Sequence, residues 1–399
     1  MSFRLTHIHD YHRFIAVDLG MYRVRAAMYN VQEGLLTCTG FSSIRQSRKN
    51  FIYGEIADIQ GIAQSIEYAI LKAWESLDTI PDDIIMSFPS HTFVSDLITT
   101  QYTRADSEAF LTMQEVDKMI KRIEKASYER AHIKSRKQFG AMNDDLRLVS
   151  STIVSIQIDG RSVTSPIGFS GGRVRLNVLN IFVPSSEFNI IRSIISRLDK
   201  KVISLIPEPL ILPKLIEESD TFSESTCIID IGYGHTTITI LYNNEILWIE
   251  NFPYGTEVLM ELIAMENPKY SLLQIENIIC TPKEFSSWKN HECLVEFLSY
   301  IQDALFGYLQ AEHIDIRFTH FFFHGNIFQN NVVFTELSER IEWTFGYSIE
   351  KRYLYEAVHP VLAHDQCMVY GLSLMARELL LVKKDPLVRI LRYVLYQYE

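Results

Sequence analysis

The sequence predicts a duplicated α/β fold carrying an inserted module, and three observations lead there. First, the 399-residue chain contains one short pattern twice: an apolar run ending in Asp-x-Gly that turns back into a second apolar run. One copy runs from Phe14 through Asp18 to Gly20 and returns over Val24 to Tyr29; the other runs from Cys227 through Asp230 to Gly232 and Gly234 and returns over Thr237 to Tyr242. Second, helical and strand periodicities alternate after each copy. Third, residues 102–184 break that alternation with a basic helix followed by alternating strands.

A buried strand that delivers a carboxylate to a glycine turn brings backbone N–H groups close to an anion and lets the Asp hold a hydrated cation. Two such turns, one in each half, point to a cleft that grips one phosphate chain from both sides. Asp18 and Asp230 would then contact a Mg-bound nucleotide through metal-bound water, with Gly20, Gly232 and Gly234 at the phosphate-facing turns. The same residues also suit plain hairpins, in which Gly supplies the turn geometry and Asp caps its own turn.

After the first hairpin, Ile62, Ile66, Ala69, Ile70 and Ala73 share one face of a helix over about 59–77. Pro81, Asp82 and Asp83 end it, and 84–88 reads as a returning strand closed by Pro89. In the inserted stretch, Val116, Ile120 and Ile123 oppose Lys118, Lys121, Arg122 and Lys125 on an amphipathic helix, and Asp159-Gly160 joins strands 148–158 and 162–164 as a hairpin. A turn-rich segment, 165–172, leads into a strand at 174–183. Helix 188–198 and strand 202–206 resume the α/β pattern, which runs into Glu208 between Pro207 and Pro209. In the second half, helical periodicity over 258–309 is interrupted by a polar segment at 280–291. The apolar strand 318–323 meets His324, Gly325 and Asn326, helices follow at 332–345 and 363–381, and Pro386 separates the last segment.

Composition narrows the classes. With 47% hydrophobic residues the chain can bury substantial cores in two or three domains. A net charge of −11 repels nucleic acid, and the basic helix lacks the interleaved aromatics that stack bases, so no nucleic-acid partner is expected. The five cysteines show no C-x-x-C spacing and suit reduced, core-filling thiols of a cytoplasmic protein. Neither a signal-peptide core nor a membrane-spanning apolar run is expected. His7, His9 and His12 lie on a polar arm without a carboxylate or Cys partner and are not read as a metal site. Arg23 and Arg25 read as a solvated strand face, and His235 as an exposed turn residue.

Five segments, in chain order, resemble the FtsA family of bacterial actin-like division proteins. "IAVDLGMYRVRAAMY" resembles its phosphate 1 hairpin and "YGEIADIQGIAQSIEYAI" the G-x-I-x-D segment with its helix. "SPIGFSGGRVRLNVLNIFVP" resembles the PIG-x-SG stretch of an inserted 1C subdomain of SHS2 type, and "VISLIPEPLILPKLI" the EPLASA strand and helix. The segment from Cys227 to Ala264 resembles the phosphate 2 region. The resemblance implies an α/β, actin-like ATPase fold (ribonuclease H-like duplicated domains) with an SHS2-type 1C insertion. It divides the chain into domain I (1–101 and 185–222), the insertion (102–184), domain II (223–358), a C-terminal helix returning to domain I (359–385) and a tail (386–399).

It further implies ATP and Mg as cofactors. Glu208 takes the place of the glutamate that orients attacking water, although it also suits a helix N-terminal acid favoured by the macrodipole. Glu276 and Gly325 fall on the nucleoside side. The implied partners are the FtsZ C-terminal tail, further copies of the chain in a filament with the insertion as a protomer contact, and the membrane surface. The expected place is the cytoplasm, on the inner face of the membrane at the division site. In the tail, Leu387, Ile390, Leu391, Val394 and Leu395 share one helical face against Arg389 and Arg392, a pattern that suits the headgroup layer and equally a helix docked on its own core. Four departures surround the nucleotide: Tyr233 between the phosphate 2 glycines, Thr237 in place of an acid, His324-Gly325-Asn326 in place of Gly-Gly, and Ile279 in place of a lysine. They predict weak or altered binding with little or no turnover. A PilM-like protein of type IV pilus assembly is the nearest alternative reading, and a kinase sharing the same clamp is a more remote one.

Overall fold

The structure, a computed structural model, describes residues 12–52, 54–74, 79–89, 93–139, 145–163, 165–219, 224–243, 245–280, 292–311, 315–358 and 362–381. In chain order the first half contains β1 (His12–Leu19), β2 (Arg23–Gln32), β3 (Leu35–Arg45), the short pair β4 (Phe51–Ile52) and β5 (Glu55–Ile56), α1 (Ile59–Trp74) and β6 (Asp83–Phe88). Next come β7 (Val94–Thr103), α2 (Met113–Phe139), β8 (Leu146–Ile158), β9 (Arg161–Ser162), β10 (Arg173–Pro184), α3 (Ser185–Ile195), β11 (Lys201–Pro207) and α4 (Ile211–Glu218). The second half contains β12 (Ser225–Ile231), β13 (Thr236–Tyr242), β14 (Glu245–Phe252), α5 (Thr256–Glu266), α6 (Leu272–Cys280), α7 (Glu292–Ala311), β15 (His320–His324), α8 (Asn331–Phe345), β16 (Glu350–Tyr353), α9 (Leu354–Val358) and α10 (Cys367–Leu381).

The duplication is explicit in the sheets. One has the order β3-β2-β1-β6-β11 and the other β14-β13-β12-β15-β16. In both, three antiparallel strands are followed by two that add in parallel. The hairpins close alike: the Gly20 N–H donates to the Arg23 carbonyl at 3.1 Å and the Gly232 N–H to the His235 carbonyl at 2.9 Å. β1 and β12 are apolar along nearly their whole length because each is central in its sheet and covered on both faces. A carboxylate at the end of such a strand is therefore held in a fixed position.

Two large cores result. The first half buries Ile62, Ile66 and Ile70 of α1 and Val369, Leu372 and Leu379 of α10 against β1, so the last described helix belongs to the first half. The second half centres on Ile229, Ile238, Phe297, Phe321 and Phe323. Cys227, Cys293 and Cys367 are buried among these residues, while Cys38 on β3 is exposed.

The inserted module is a sheet of order β7-β10-β8-β9 with α2 on one face, where Val116, Ile120 and Ile123 meet Ile156, Leu176 and Val178. Its sheet takes in Val94–Thr103, which pairs antiparallel with β10. Two contacts fasten it to the second half: the Ser95 hydroxyl donates to the Ile249 carbonyl at 2.6 Å, and the Lys134 ammonium lies 2.6 Å from the Glu250 carboxylate. Among the described residues no helix is long and apolar enough to cross a membrane.

Candidate functional site

The two hairpins face one another across a cavity of about 310 Å³. Asp18, Gly20, Glu208, Asp230, Gly232, Glu276 and Gly325 all line it, so the fold gathers residues from both halves that span most of the chain. Gly234 is absent from that lining; a Cβ there would lie 2.6 Å from Met21 Sδ of the opposite hairpin. Gly234 thus packs against the Met21 side chain of the opposite hairpin.

Every carboxylate at the cleft floor has a cation beside it. β2 places Arg25 directly opposite Asp18, and residues directly opposite on adjacent strands project to the same face. The Arg25 guanidinium donates to Asp18 Oδ2 at 3.0 Å and reaches Asp365 Oδ1 at 3.2 Å and Asn326 Oδ1 at 3.4 Å. The other Asp18 oxygen accepts from the Ser87 hydroxyl of β6 at 2.9 Å, and that hydroxyl accepts from the Leu19 N–H at 3.0 Å. Arg25 is thus a largely covered residue of the cleft, not the solvated strand position its alternation suggests. Burial lowers its pKa, but the Asp18 and Asp365 charges outweigh that and hold it above the usual guanidinium range.

In the second half β15 sets His324 beside Asp230, and His324 Nδ1 bonds Asp230 Oδ1 at 2.8 Å. Burial alone would lower the His324 pKa, yet the Asp230 charge and hydrogen bond push it up to about 10. For Asp230 burial raises the pKa, and His324 more than reverses this, with His235 adding to the effect, so the carboxyl falls below its ordinary value. His364 stacks on His324 with ring centroids 5.1 Å apart; burial and the charges of His324 and Arg25 lower its pKa to about 3.

Glu208 follows β11 and lies 3.5 Å from His235 Nε2. Burial raises the Glu208 pKa and the Asp230 and Asp18 charges add to this, with His235 acting in the opposite sense. His235 is buried rather than exposed in its turn, and Glu208 raises its pKa against the effect of burial. Thr237 is buried, and its hydroxyl bonds Asn251 Oδ1 at 2.8 Å.

The mouth of the cleft is latched from both sides. Tyr233 stacks on Tyr22 of the opposite hairpin with centroids 5.5 Å apart, and the guanidinium carbons of Arg23 and Arg45 lie 5.7 and 5.3 Å from the centre of the Tyr22 ring. Arg45 of β3 pairs with Glu276 of α6, with Arg48 3.9 Å away. Glu276 therefore bridges the halves in addition to lining the pocket.

Gly325 has φ +117°, and a Cβ there would lie 2.1 Å from the Ile231 carbonyl oxygen. Gly325→Ala should therefore push β15 away from β12, costing about 1–3 kcal/mol in strain alone and weakening any ligand held in the cleft. Paired urea melts and ligand titrations of the two proteins check both effects.

Asp18 and Asp230 were expected to hold Mg through metal-bound water, and any such role competes with donors of the protein itself. Both Asp18 oxygens and one of Asp230 are already engaged by protein donors. Among the described residues no group of three or more His, Cys, Asp or Glu side chains is placed to hold a metal ion. The tail residues Leu387, Arg389, Ile390, Leu391, Arg392, Val394 and Leu395 lie outside the described residues, as do His7, His9 and the polar segment 281–291.

Two strands-and-hairpin halves closed on a pocket of paired acids define an actin-like ATPase fold. No protein-family model matches the chain. Over 234 residues it is 22% identical to the cell division protein FtsA of Streptococcus pneumoniae serotype 2 (strain D39 / NCTC 7466), a match covering 58% of this chain and 48% of that protein. The chain thus spans about half the length of that relative. Among solved structures it is similar to a chain of a PilM-PilN type IV pilus biogenesis complex, with a TM-score of 0.65, 14% identity and coverage of 91% of this chain and 98% of that one. A structure of MreB 5 of Spiroplasma citri bound to AMPPNP aligns with a TM-score of 0.49 at 10% identity, over 91% of this chain and 96% of that one.

Proposed function

We propose that this protein is a nucleotide-binding, actin-like scaffold of the FtsA kind with weak or absent ATPase activity. It takes ATP between its halves, assembles with further copies of itself, and links FtsZ, through the FtsZ C-terminal tail, to the inner face of the cytoplasmic membrane. The domain division drawn from the sequence, with residues 102–184 as an SHS2-type insertion and 386–399 as a membrane-binding tail, is part of the proposal.

One observation carries the low-turnover part. Glu208, the only sequence candidate for orienting water, sits 3.5 Å from His235 Nε2, so its carboxylate faces a side chain of the second half and does not stand open to an attacking water. The partner and the membrane rest on the resemblance to FtsA and on the partial match to the pneumococcal protein.

The test is to measure ATP binding, phosphate release, and co-pelleting with anionic liposomes and a fluorescent FtsZ tail peptide, using the full chain. Saturable ATP binding without steady phosphate release, together with tail-dependent pelleting, is the expected result. Steady turnover would remove the scaffold reading. Binding of a pilus inner-membrane peptide in place of the FtsZ tail would move the role to that of PilM.

A further inference from the structure

We propose that the cleft takes its nucleoside polyphosphate as the metal-free anion, with Arg25 and His324 standing against the two carboxylates, Asp18 and Asp230, that a hydrated divalent cation would otherwise use. The inference rests on the nucleotide reading above and concerns the form in which the ligand binds.

A magnesium ion keeps a nearly octahedral shell of oxygen ligands, so a carboxylate that steadies its waters must present a lone pair to them. Asp18 presents little: Ser87 donates to one oxygen at 2.9 Å and Arg25 to the other at 3.0 Å. In the second half His324 occupies Asp230 Oδ1 at 2.8 Å. The guanidinium is not a surface side chain that swings aside. It is fixed by Asp18 at the end of β1, by Asn326 just after β15 and by Asp365 in the turn before α10. A divalent cation at this floor would stand beside a guanidinium and displace hydrogen bonds that come from three parts of the fold.

The same residues leave donors for an anion. Arg25 Nε and His235 Nδ1 are buried without a hydrogen-bond partner, and both side chains line the cleft. Arg23 lines it as well, near the mouth. Phosphate oxygens accept strongly from such groups, and charge-assisted bonds of this kind are the stronger class. A polyphosphate that has shed its magnesium carries more negative charge and more open oxygens for them. Here protein cations do the neutralising.

The test uses the full chain and titration calorimetry with ATP in two buffers, one with excess EDTA and one with excess magnesium. Dissociation constants that agree within about threefold, or a tighter one in EDTA, are expected. A loss of about tenfold or more in EDTA overturns the metal-free inference and leaves the nucleotide reading standing. Binding in neither buffer removes the nucleotide reading and this inference with it. Arg25→Gln adds a second measurement: its affinity in EDTA should fall by about tenfold or more, with a smaller fall in magnesium. An equal fall in both buffers would count against the guanidinium as the metal's substitute.

Discussion

Replacing Arg25 by alanine is expected to lower the unfolding free energy by about 3–5 kcal/mol, because removing one partner of a buried pair leaves the other charge uncompensated. The guanidinium is only 12% exposed and Asp18 only 2%, so water cannot readily take over its role. The substitution also withdraws a donor from Asp365 and Asn326, which separates the first hairpin from the residues after β15. Arg25→Lys should recover part of the loss. An ammonium can face Asp18, but it lacks the planar fork that reaches two carboxylates at once. Urea midpoints for the parent, Arg25→Ala, Asp18→Asn and the double variant give the coupling energy directly. A positive coupling of more than about 1 kcal/mol is expected for a close, buried pair. Additive losses would mean that Arg25 and Asp18 contribute independently, and the paired-acid description of the cleft would fail.

The sequence carried the fold because the fold is written in short-range signals. The two Asp-x-Gly turns, the apolar runs of β1 and β12 and the face of α1 at Ile62, Ile66 and Ile70 are all local patterns, and each survives in the structure. One cleft residue could have been found the same way. Four residues, 20–23, separate Leu19 from Val24, which pair, and hence Asp18 faces Arg25, so the register alone puts the guanidinium on the carboxylate's face. Counting alternation along β2 without its partner missed it. His324 offered no such route, since its meeting with Asp230 depends on the parallel pairing of β12 with β15, strands 94 residues apart in the chain. Ser87, His364 and Asp365 likewise arrive from other elements. His235 follows the same pattern: it is buried, and its partner Glu208 comes from the first half.

The stability contributed by this cluster should peak near pH 6.5 and decline on both sides. In the unfolded chain each histidine titrates near about 6.5. Folded His324 holds its proton up to about 10, so between these values the native state carries one proton more than the unfolded state, and stability falls as pH rises. Below pH 6.5 its contribution is fully present. His364 works in the opposite sense. Its folded pKa of about 3 means that on acidification the unfolded state takes up a proton the native state refuses, so stability falls as pH drops from 6.5. Each limb is limited to about 1.4 kcal/mol per pH unit. Asp230, with its lowered pKa, keeps its contribution above its unfolded value and loses it only in stronger acid. The groups facing the histidines are Asp230 from β12, Arg25 from β2, Asp365 from the turn before α10 and Cys367 at its start, so the cluster titrates as a unit. Urea midpoints across the pH range, compared between the parent and two variants, separate the limbs. His324→Asn should flatten the alkaline decline. His364→Phe, which preserves an aromatic ring over His324 and beside Tyr355, should flatten part of the acid decline. Variants that keep both slopes of the parent would place the titrating groups outside the cleft and remove the charged His324–Asp230 pair from its floor.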